Sequence, residues 1–77
     1  MATDLDRALA ATVRAALTRS RQSTSNVALA LGIQPQAFRD RLRGRTRWTA
    51  VELQQLADAL GVPVTDLLQP VATRGAA

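Results

Sequence analysis

The chain has 77 residues and a formal net charge of +4, and it contains neither cysteine nor histidine. This length allows one hydrophobic core and leaves no room for a second domain or for a cleft between lobes. Without cysteine or histidine there are no disulfides, no thiolate or imidazole metal ligands, no histidine-based triads and no cysteine nucleophiles. We therefore expect a protein that is not an enzyme and that carries no cofactor and no metal site.

The carboxylates and the apolar segments give two further exclusions. All six carboxylates fall on predicted helices or at their starts, where capping and helix-dipole effects account for them. No apolar run approaches the roughly 18 residues that a membrane-spanning helix needs, and the amino terminus lacks the pattern of a secretory signal. We expect a cytoplasmic protein without a membrane contact.

The first predicted helix begins at Thr3 or Asp4 and ends near Ser20. Its apolar residues recur at helical spacing; they are Leu5, Ala8, Leu9, Val13, Ala16 and Leu17. Residues 21–23 then form a short polar link. Ser23 is a suitable amino-terminal cap for a second helix, which Gly32 ends because glycine accepts a left-handed backbone.

The third helix is predicted to start at Pro35, since proline suits the first turn of a helix. Phe38 and Leu42, four residues apart, define its inner face, and Gly44 marks its end. Residues 23–43 therefore contain two short helices that are joined by a tight turn.

The fourth helix has the clearest start signal in the chain. Thr49 and Glu52 have the spacing of a capping box, and Trp48 and Leu53 have the spacing of a hydrophobic staple. We prefer the staple to a base-stacking role for Trp48, because a single ring makes a poor site for single-stranded nucleic acid. The buried stripe is predicted at Leu53, Leu56, Ala57 and Leu60, and Gly61 ends the helix.

A short last helix is predicted over residues 65–68, followed by a tail. Residues 69–77 combine proline, glycine, alanine and polar residues without periodicity, which is typical of disorder. The expected organisation is one domain over residues 1–68 and a disordered carboxy-terminal tail over residues 69–77.

Positive charge is concentrated in the middle of the chain. Between Arg19 and Thr49 there are seven arginines and a single acid, Asp40, so the local charge is +6. Five of these arginines lie in residues 39–47, which we call the arginine-rich segment. Such clustering favours a polyanionic partner, and the alternative is an ordinary solvated charged face.

The chain resembles the Cro and phage-repressor type of helix-turn-helix domain, the lambda-repressor-like or XRE family. The residues that carry this resemblance are 27–33, Phe38, Arg41, Leu42, Gly44, 52–53, 56–62 and 66–68. The resemblance covers about residues 9–68. Residues 41–49 are also similar to those of small repressors from actinobacteria and their phages. The resemblance implies a compact all-α domain of five helices, which binds double-stranded DNA through the helix-turn-helix at residues 23–43.

The resemblance implies that helix 34–43 enters the major groove. The predicted base-contacting residues are Gln34, Gln36, Ala37, Arg39 and Asp40. Gln36 suits adenine and Arg39 suits guanine, whereas Asp40 either accepts from cytosine or orients a neighbouring arginine. The alternative for Gln34 and Gln36 is a solvated helix start. The predicted phosphate-contacting residues are Thr24, Ser25, Arg43, Arg45, Arg47 and Thr49; plain capping is the alternative for Thr24 and Ser25.

Arg41 departs from the family pattern, which often has an apolar residue three positions after Phe38. Leu42 is expected to take over that packing role and to rotate the third helix slightly. Relatives commonly form dimers through the last helix region, which here means Val62, Val64, Leu67 and Leu68. The alternative is that these four residues only close the core of the monomer.

The function implied is a sequence-specific, DNA-binding transcriptional regulator, expected to be a repressor associated with the nucleoid and without a small-molecule ligand. Two alternatives remain. One is a protein-interaction module, such as an antitoxin or an adaptor, built on the same helical scaffold. The other is an accessory or architectural DNA-binding protein without sequence preference.

Overall fold

The computed structural model describes residues 3–70, which form five α-helices and no strand. Helix α1 spans Asp4–Ser20, α2 spans Thr24–Leu31, α3 spans Pro35–Leu42, α4 spans Ala50–Leu60 and α5 spans Val64–Leu67. The all-α, five-helix prediction is confirmed. Within residues 3–70, no helix is both long enough and apolar enough to cross a bilayer.

Three of the five helices, α1, α2 and α4, begin at hydroxyl side chains that accept hydrogen bonds from the first turn. The Ser23 hydroxyl accepts from the Asn26 N–H at 3.0 Å, and the Thr49 hydroxyl accepts from the Glu52 N–H at 3.1 Å. A capping box at Thr3, the N-cap of α1, was not predicted. These bonds satisfy amide groups that have no partner inside the helix, so they define where each helix starts.

The turn between α2 and α3 depends on Gly32. Its φ of +70° lies in the left-handed region, which a residue with a Cβ adopts only under strain. This conformation lets the Ile33 N–H bond back to the Ala28 carbonyl at 3.0 Å. The chain therefore reverses within Gly32 and Ile33, and α3 starts at Pro35 as predicted.

The core consists mainly of leucine, valine and alanine, with two aromatic rings. Phe38 and Trp48 meet edge to face, with their centroids 5.8 Å apart and their planes at 90°. Trp48 is buried in the same cluster as Leu53, as the staple prediction requires. Helix α4 packs against α2, α1 and α5, and α1 also packs against α3. This arrangement seats the inner face of α3 against the rest of the protein.

The carboxy-terminal region differs slightly from the prediction. Helix α5 begins at Val64, one residue earlier than expected, and Pro63 is its N-cap residue. Gln69 and Pro70, the first residues of the predicted disordered tail, have helical backbone. The remainder of that tail, residues 71–77, lies outside the described residues.

Candidate nucleic-acid interface

Helix α3 has two chemically different faces. On the inner face, Phe38 is only 1% exposed and Leu42 is buried. On the outer face, Gln34, Gln36 and Arg39 are exposed. The other two residues of the predicted base-contacting set, Ala37 and Asp40, are half-buried. The structure therefore brings the five residues together along the outer side of one short helix.

The polar side chains of the outer face form a hydrogen-bonded chain. Arg39 donates from Nη2 to Oε1 of Gln36 at 3.3 Å, and Gln36 donates from Nε2 to Oδ1 of Asp40 at 3.1 Å. In this structure the Asp40 carboxylate binds the Gln36 amide, and both roles suggested for Asp40, accepting from cytosine or orienting an arginine, stay predictions. The spacing of four residues explains the bond, because such side chains are neighbours on a helix.

Arg41 anchors α3 to the start of α4. Its Nε donates to Oε1 of Glu52 at 3.2 Å, and its Nη2 lies 2.8 Å from Oε2 of the same carboxylate. Its Nη1 also donates to the Ala37 carbonyl at 3.2 Å. The side chains of Arg41 and Glu52 are only 20% and 16% exposed. Arg41 thus occupies the position at which the resemblance predicts an apolar residue, and Leu42 is buried in the core.

The carboxylate of Glu52 joins two structural elements. Burial raises the pKa of Glu52, but hydrogen bonds from the Thr49 N–H and from the Arg41 guanidinium outweigh it and hold the pKa below its ordinary value. The group is therefore ionised at neutral pH. It closes the capping box of α4 and at the same time binds the guanidinium of α3.

Helix α1 supports the other end of α3. Arg14 donates from Nη1 to the carbonyl of Leu42, one of the last carbonyls of α3, which have no partner inside the helix. Two residues after Leu42, Gly44 has a φ of +75° and lies close to Arg7. A Cβ added to Gly44 would be 3.0 Å from the Cγ of Arg7. The end of α3 is therefore held directly against α1.

The predicted phosphate-contacting arginines differ in their surroundings. Arg43, Arg45 and Arg47 are all exposed. Arg47 lies 3.5 Å from the Asp6 carboxylate through its Nε and remains 68% exposed. Within residues 3–70, Arg43 and Arg45 have no carboxylate within ion-pair distance. These cations stay accessible to a polyanion.

Asp6 belongs to the capping box of α1. The Thr3 N–H donates to the Asp6 carboxylate at 2.8 Å, and this bond, with a smaller contribution from Arg47, holds the pKa of Asp6 below its ordinary value. Asp6 is therefore ionised at neutral pH and faces Arg47.

The hydroxyl groups in the predicted phosphate-contacting set are also exposed. Thr24 and Ser25 lie in the first turn of α2, and the cap of that helix is made by Ser23 instead. Thr49 is the N-cap residue of α4, and its hydroxyl already accepts a hydrogen bond there. The capping alternative for Thr24 and Ser25 therefore has no support in the side-chain bonds of residues 3–70.

The predicted dimer surface needs one correction. Leu67 is fully buried in the core of the monomer, so it offers no surface to a second copy. Val62, Val64 and Leu68 are half-buried and pack on the outside of the core. They leave a smaller apolar surface than the four residues predicted.

Sequence reasoning missed Arg41, Arg14 and Asp6 as residues that hold the arginine-rich segment. A signal was available for Arg41, because it follows Phe38 by three residues and so falls near the inner face of α3. An arginine at such a position calls for a partner, and an acid at the start of the next helix was the natural candidate. The partners of Arg14 and Arg47 lie in distant parts of the chain and carry no comparable signal.

A family model described as the BetR domain matches residues 4–76, which is almost the whole chain. Two solved structures are also similar, both described as the clp gene regulator ClgR from Corynebacterium glutamicum. One is 26% identical, with a TM-score of 0.82, and the match covers 94% of this chain and 94% of that chain. The other is 26% identical with a TM-score of 0.83, over 99% of this chain and 81% of that chain. No curated protein sequence gives a significant match.

Proposed function

The chain belongs to the BetR domain family, and we propose that it is a transcriptional regulator that binds double-stranded DNA. Two solved structures that it matches over 94% and 81% of their own chains are those of a gene regulator. The finer mechanism that we propose is that of a lambda-repressor-like helix-turn-helix, with α2 against the DNA backbone and α3 in the major groove.

One observation carries this proposal: the outer face of α3 and the adjoining loop present arginines that no acid of residues 3–70 neutralises. Arg39, Arg43 and Arg45 are exposed and have no carboxylate within 4.0 Å in that part of the chain. An unneutralised cluster of guanidinium groups is costly to hold together and attracts phosphate. The inner face of the same helix is buried, so the cluster sits on a rigid support.

The contacts divide into two groups. Residues on the outer face of α3 read base edges, namely Gln34, Gln36, Ala37 and Arg39. Exposed groups beside that helix contact phosphates, namely Thr24, Ser25, Arg43, Arg45, Arg47 and Thr49. Phosphate contacts fix the register without carrying sequence information, whereas base contacts determine preference.

The regulator is expected to act as a repressor. A helix in the major groove of a promoter excludes other proteins from that site, which is the reason for this expectation. A symmetric dimer through Val62, Val64 and Leu68 stays a prediction, which gel filtration with and without bound DNA would test.

The decisive experiment is selection of bound sequences from a random pool of duplexes, followed by salt titration on selected and random DNA. We expect a defined motif. Arg39→Ala should change base preference, whereas Arg45→Ala should weaken binding to all sequences alike and lower the salt slope by about one. Arg19→Ala is a matched control, because Arg19 is an exposed arginine on α1, outside the arginine-rich segment.

Two outcomes would contradict the proposal. Salt-sensitive binding without any selected motif would indicate an accessory or architectural protein. The absence of duplex binding at low salt would indicate a protein-interaction module instead.

A further inference from the structure

Three polar side chains of the α3 outer face, Gln36, Arg39 and Asp40, bond only to one another within residues 3–70. Within residues 3–70 their side chains make two hydrogen bonds, Arg39 to Gln36 at 3.3 Å and Gln36 to Asp40 at 3.1 Å. No ion pair links any of them to the rest of that part of the chain. We call this set the outer-face triad. Its members are ordered by each other and not by the core.

The triad determines which way the amide of Gln36 points. A guanidinium has only donors and a carboxylate only acceptors, so the amide oxygen must face Arg39 and the amide nitrogen must face Asp40. With both bonds made, Gln36 still has one N–H and one oxygen lone pair. This donor and acceptor are the two groups that the N7 and N6 atoms of adenine require in the major groove.

The spacing within the triad limits which bases it can reach. Nη2 of Arg39 and Oε1 of Gln36 are hydrogen-bonded at 3.3 Å, so the two head groups are in contact. Head groups in contact with each other can reach two different base pairs only if those pairs are neighbours along the duplex. Arg39 uses one of its five N–H donors within the triad, which leaves donors for the O6 and N7 atoms of guanine.

Asp40 has a different role from the other two. It is half-buried, it carries a negative charge, and its Oδ1 already accepts from Gln36. A carboxylate near the phosphates of DNA weakens binding to every sequence, so its presence needs a compensating contribution. Holding the Gln36 amide in the orientation that suits adenine is such a contribution.

We propose that the outer-face triad reads an adenine and a neighbouring guanine as one unit, with Asp40 as a positioning residue that acts through Gln36. This inference rests on the proposed function, because it assumes that α3 enters the major groove. It adds the bases that are read and the residue that sets the preference.

Helix α4 offers a matched control. Gln54 donates from Nε2 to Oδ1 of Asp58 at 3.0 Å, the same pair of side chains at the same spacing of four residues. Asp58 is exposed and lies outside the proposed interface. Asp58→Ala therefore removes the same kind of hydrogen bond and the same charge from the protein.

The test measures the affinities of the wild type and the variants for the selected duplex, for a duplex with the adenine replaced and for random DNA. The variants are Asp40→Ala, Asp40→Asn, Gln36→Ala, the double variant of Gln36→Ala with Asp40→Ala, and Asp58→Ala. Asp40→Asn removes the charge but keeps an amide oxygen that accepts from Gln36. Circular dichroism and thermal unfolding establish that each variant is folded.

We expect Asp40→Ala to lower the discrimination for adenine by about 10-fold, within the range for one bidentate base contact. Asp40→Asn should keep the discrimination for adenine and raise the affinity for all three duplexes by the same factor. The double variant should discriminate no less than Gln36→Ala alone, because both changes remove the same contact. Asp58→Ala should leave the discrimination unchanged.

Three results would overturn the inference. If Asp40→Ala raised the affinities for all duplexes by the same factor and left the discrimination unchanged, Asp40 would act only through its negative charge and not through Gln36. If the selected motif lacked an adenine beside a guanine, the triad would not read these bases. If the wild type selected no motif, the proposed function itself would fail, and the inference with it.

Discussion

The arginine-rich segment is held by two capping boxes that look alike in sequence but bind their arginines differently. Glu52, in the box of α4, binds Arg41 through two nearly parallel contacts, the shorter at 2.8 Å, with both side chains largely buried. Asp6, in the box of α1, meets Arg47 through one contact of 3.5 Å, with Arg47 68% exposed. The same local motif therefore serves one ion pair in which both side chains are half-buried and one in which the arginine is exposed.

The two ion pairs suit different roles, since one orients α3 and the other leaves its arginine available to DNA. A paired, half-buried guanidinium is not available to DNA, but it fixes the orientation of α3. An exposed pair contributes little to stability because water and salt screen it, and its guanidinium can exchange the carboxylate for a phosphate. We infer that Arg41 supports the interface and that Arg47 belongs to it.

Glu52→Ala should cause the largest loss of stability. The change removes the cap of α4 and leaves the half-buried Arg41 without its partner, which should lower the free energy of unfolding by about 2 to 3 kcal/mol. Asp6→Ala, the matched change in the other box, should shift the midpoint of urea unfolding much less. Equal shifts for the two variants would contradict the distinction between the two boxes.

Gly44→Ala should cause the next largest loss of stability. Gly44 lies between Arg41 and Arg47, the two arginines that the capping boxes bind. Its positive φ and the 3.0 Å approach of a new Cβ to Arg7 should together lower the free energy of unfolding by about 2 kcal/mol. Gly61 has a φ of +69° with open space around it, so Gly61→Ala should cost only about 1 kcal/mol. If thermal unfolding showed equal losses of stability for Gly44→Ala and Gly61→Ala, α1 would have to move to accommodate the added methyl group at residue 44.

Acid should destabilise the protein through the carboxylates of the two capping boxes, Asp6 and Glu52. In the folded state the pKa values of Asp6 and Glu52 lie below their ordinary values of 3.8 and 4.5. A carboxyl with a lowered folded pKa stabilises the protein above its unfolded pKa and loses that contribution as the pH falls through the folded value. Stability should therefore be flat near neutral pH and fall below about pH 4.5.

Glu52→Gln provides the control for this dependence. It keeps an oxygen that accepts from the Thr49 N–H but cannot ionise, so its unfolding free energy should fall less between neutral pH and about pH 3. If the unfolding free energy fell equally in the wild type and in Glu52→Gln, groups other than Glu52 would govern the response to acid.

The smallest effects are expected for DNA binding at the exposed pair. Arg47→Ala should lower the affinity for all duplexes and reduce the salt slope by about 0.9, as the loss of one phosphate contact requires. Asp6→Ala should raise the affinity slightly, because it frees Arg47. Fluorescence anisotropy on a random duplex at several salt concentrations measures both. An unchanged slope in the Arg47→Ala variant would place Arg47 outside the interface.

The features that sequence reasoning predicted correctly are those that depend on near neighbours. The capping box of Thr49 and Glu52 spans four residues, and the Gly32 turn depends on the backbone preference of one residue. The inner face of α3 follows from the spacing of Phe38 and Leu42. Each of these can be evaluated within one or two helical turns, so a pattern in the sequence is sufficient.

The features that it missed join distant parts of the chain. The bond from Arg14 to the Leu42 carbonyl spans 28 residues, and the pair of Arg41 with Glu52 spans 11. The burial of Leu67 likewise depends on how α5 packs against α1 and α4. Such contacts follow from the relative placement of helices, which no local pattern specifies.

By itself, the sequence determined the five helices and most of their ends, with α5 displaced by one residue, since caps, glycine stops and apolar stripes act within a few residues. It divided Arg39 from Arg43, Arg45 and Arg47 only through the family resemblance, and it named no partner for any arginine of the segment. Only the tertiary structure assigned one of them to Glu52, one to Gln36 and one to Asp6. The physical reason is that the role of a guanidinium depends on its burial and on the charge that faces it, and both are set by the surfaces that other helices bring near.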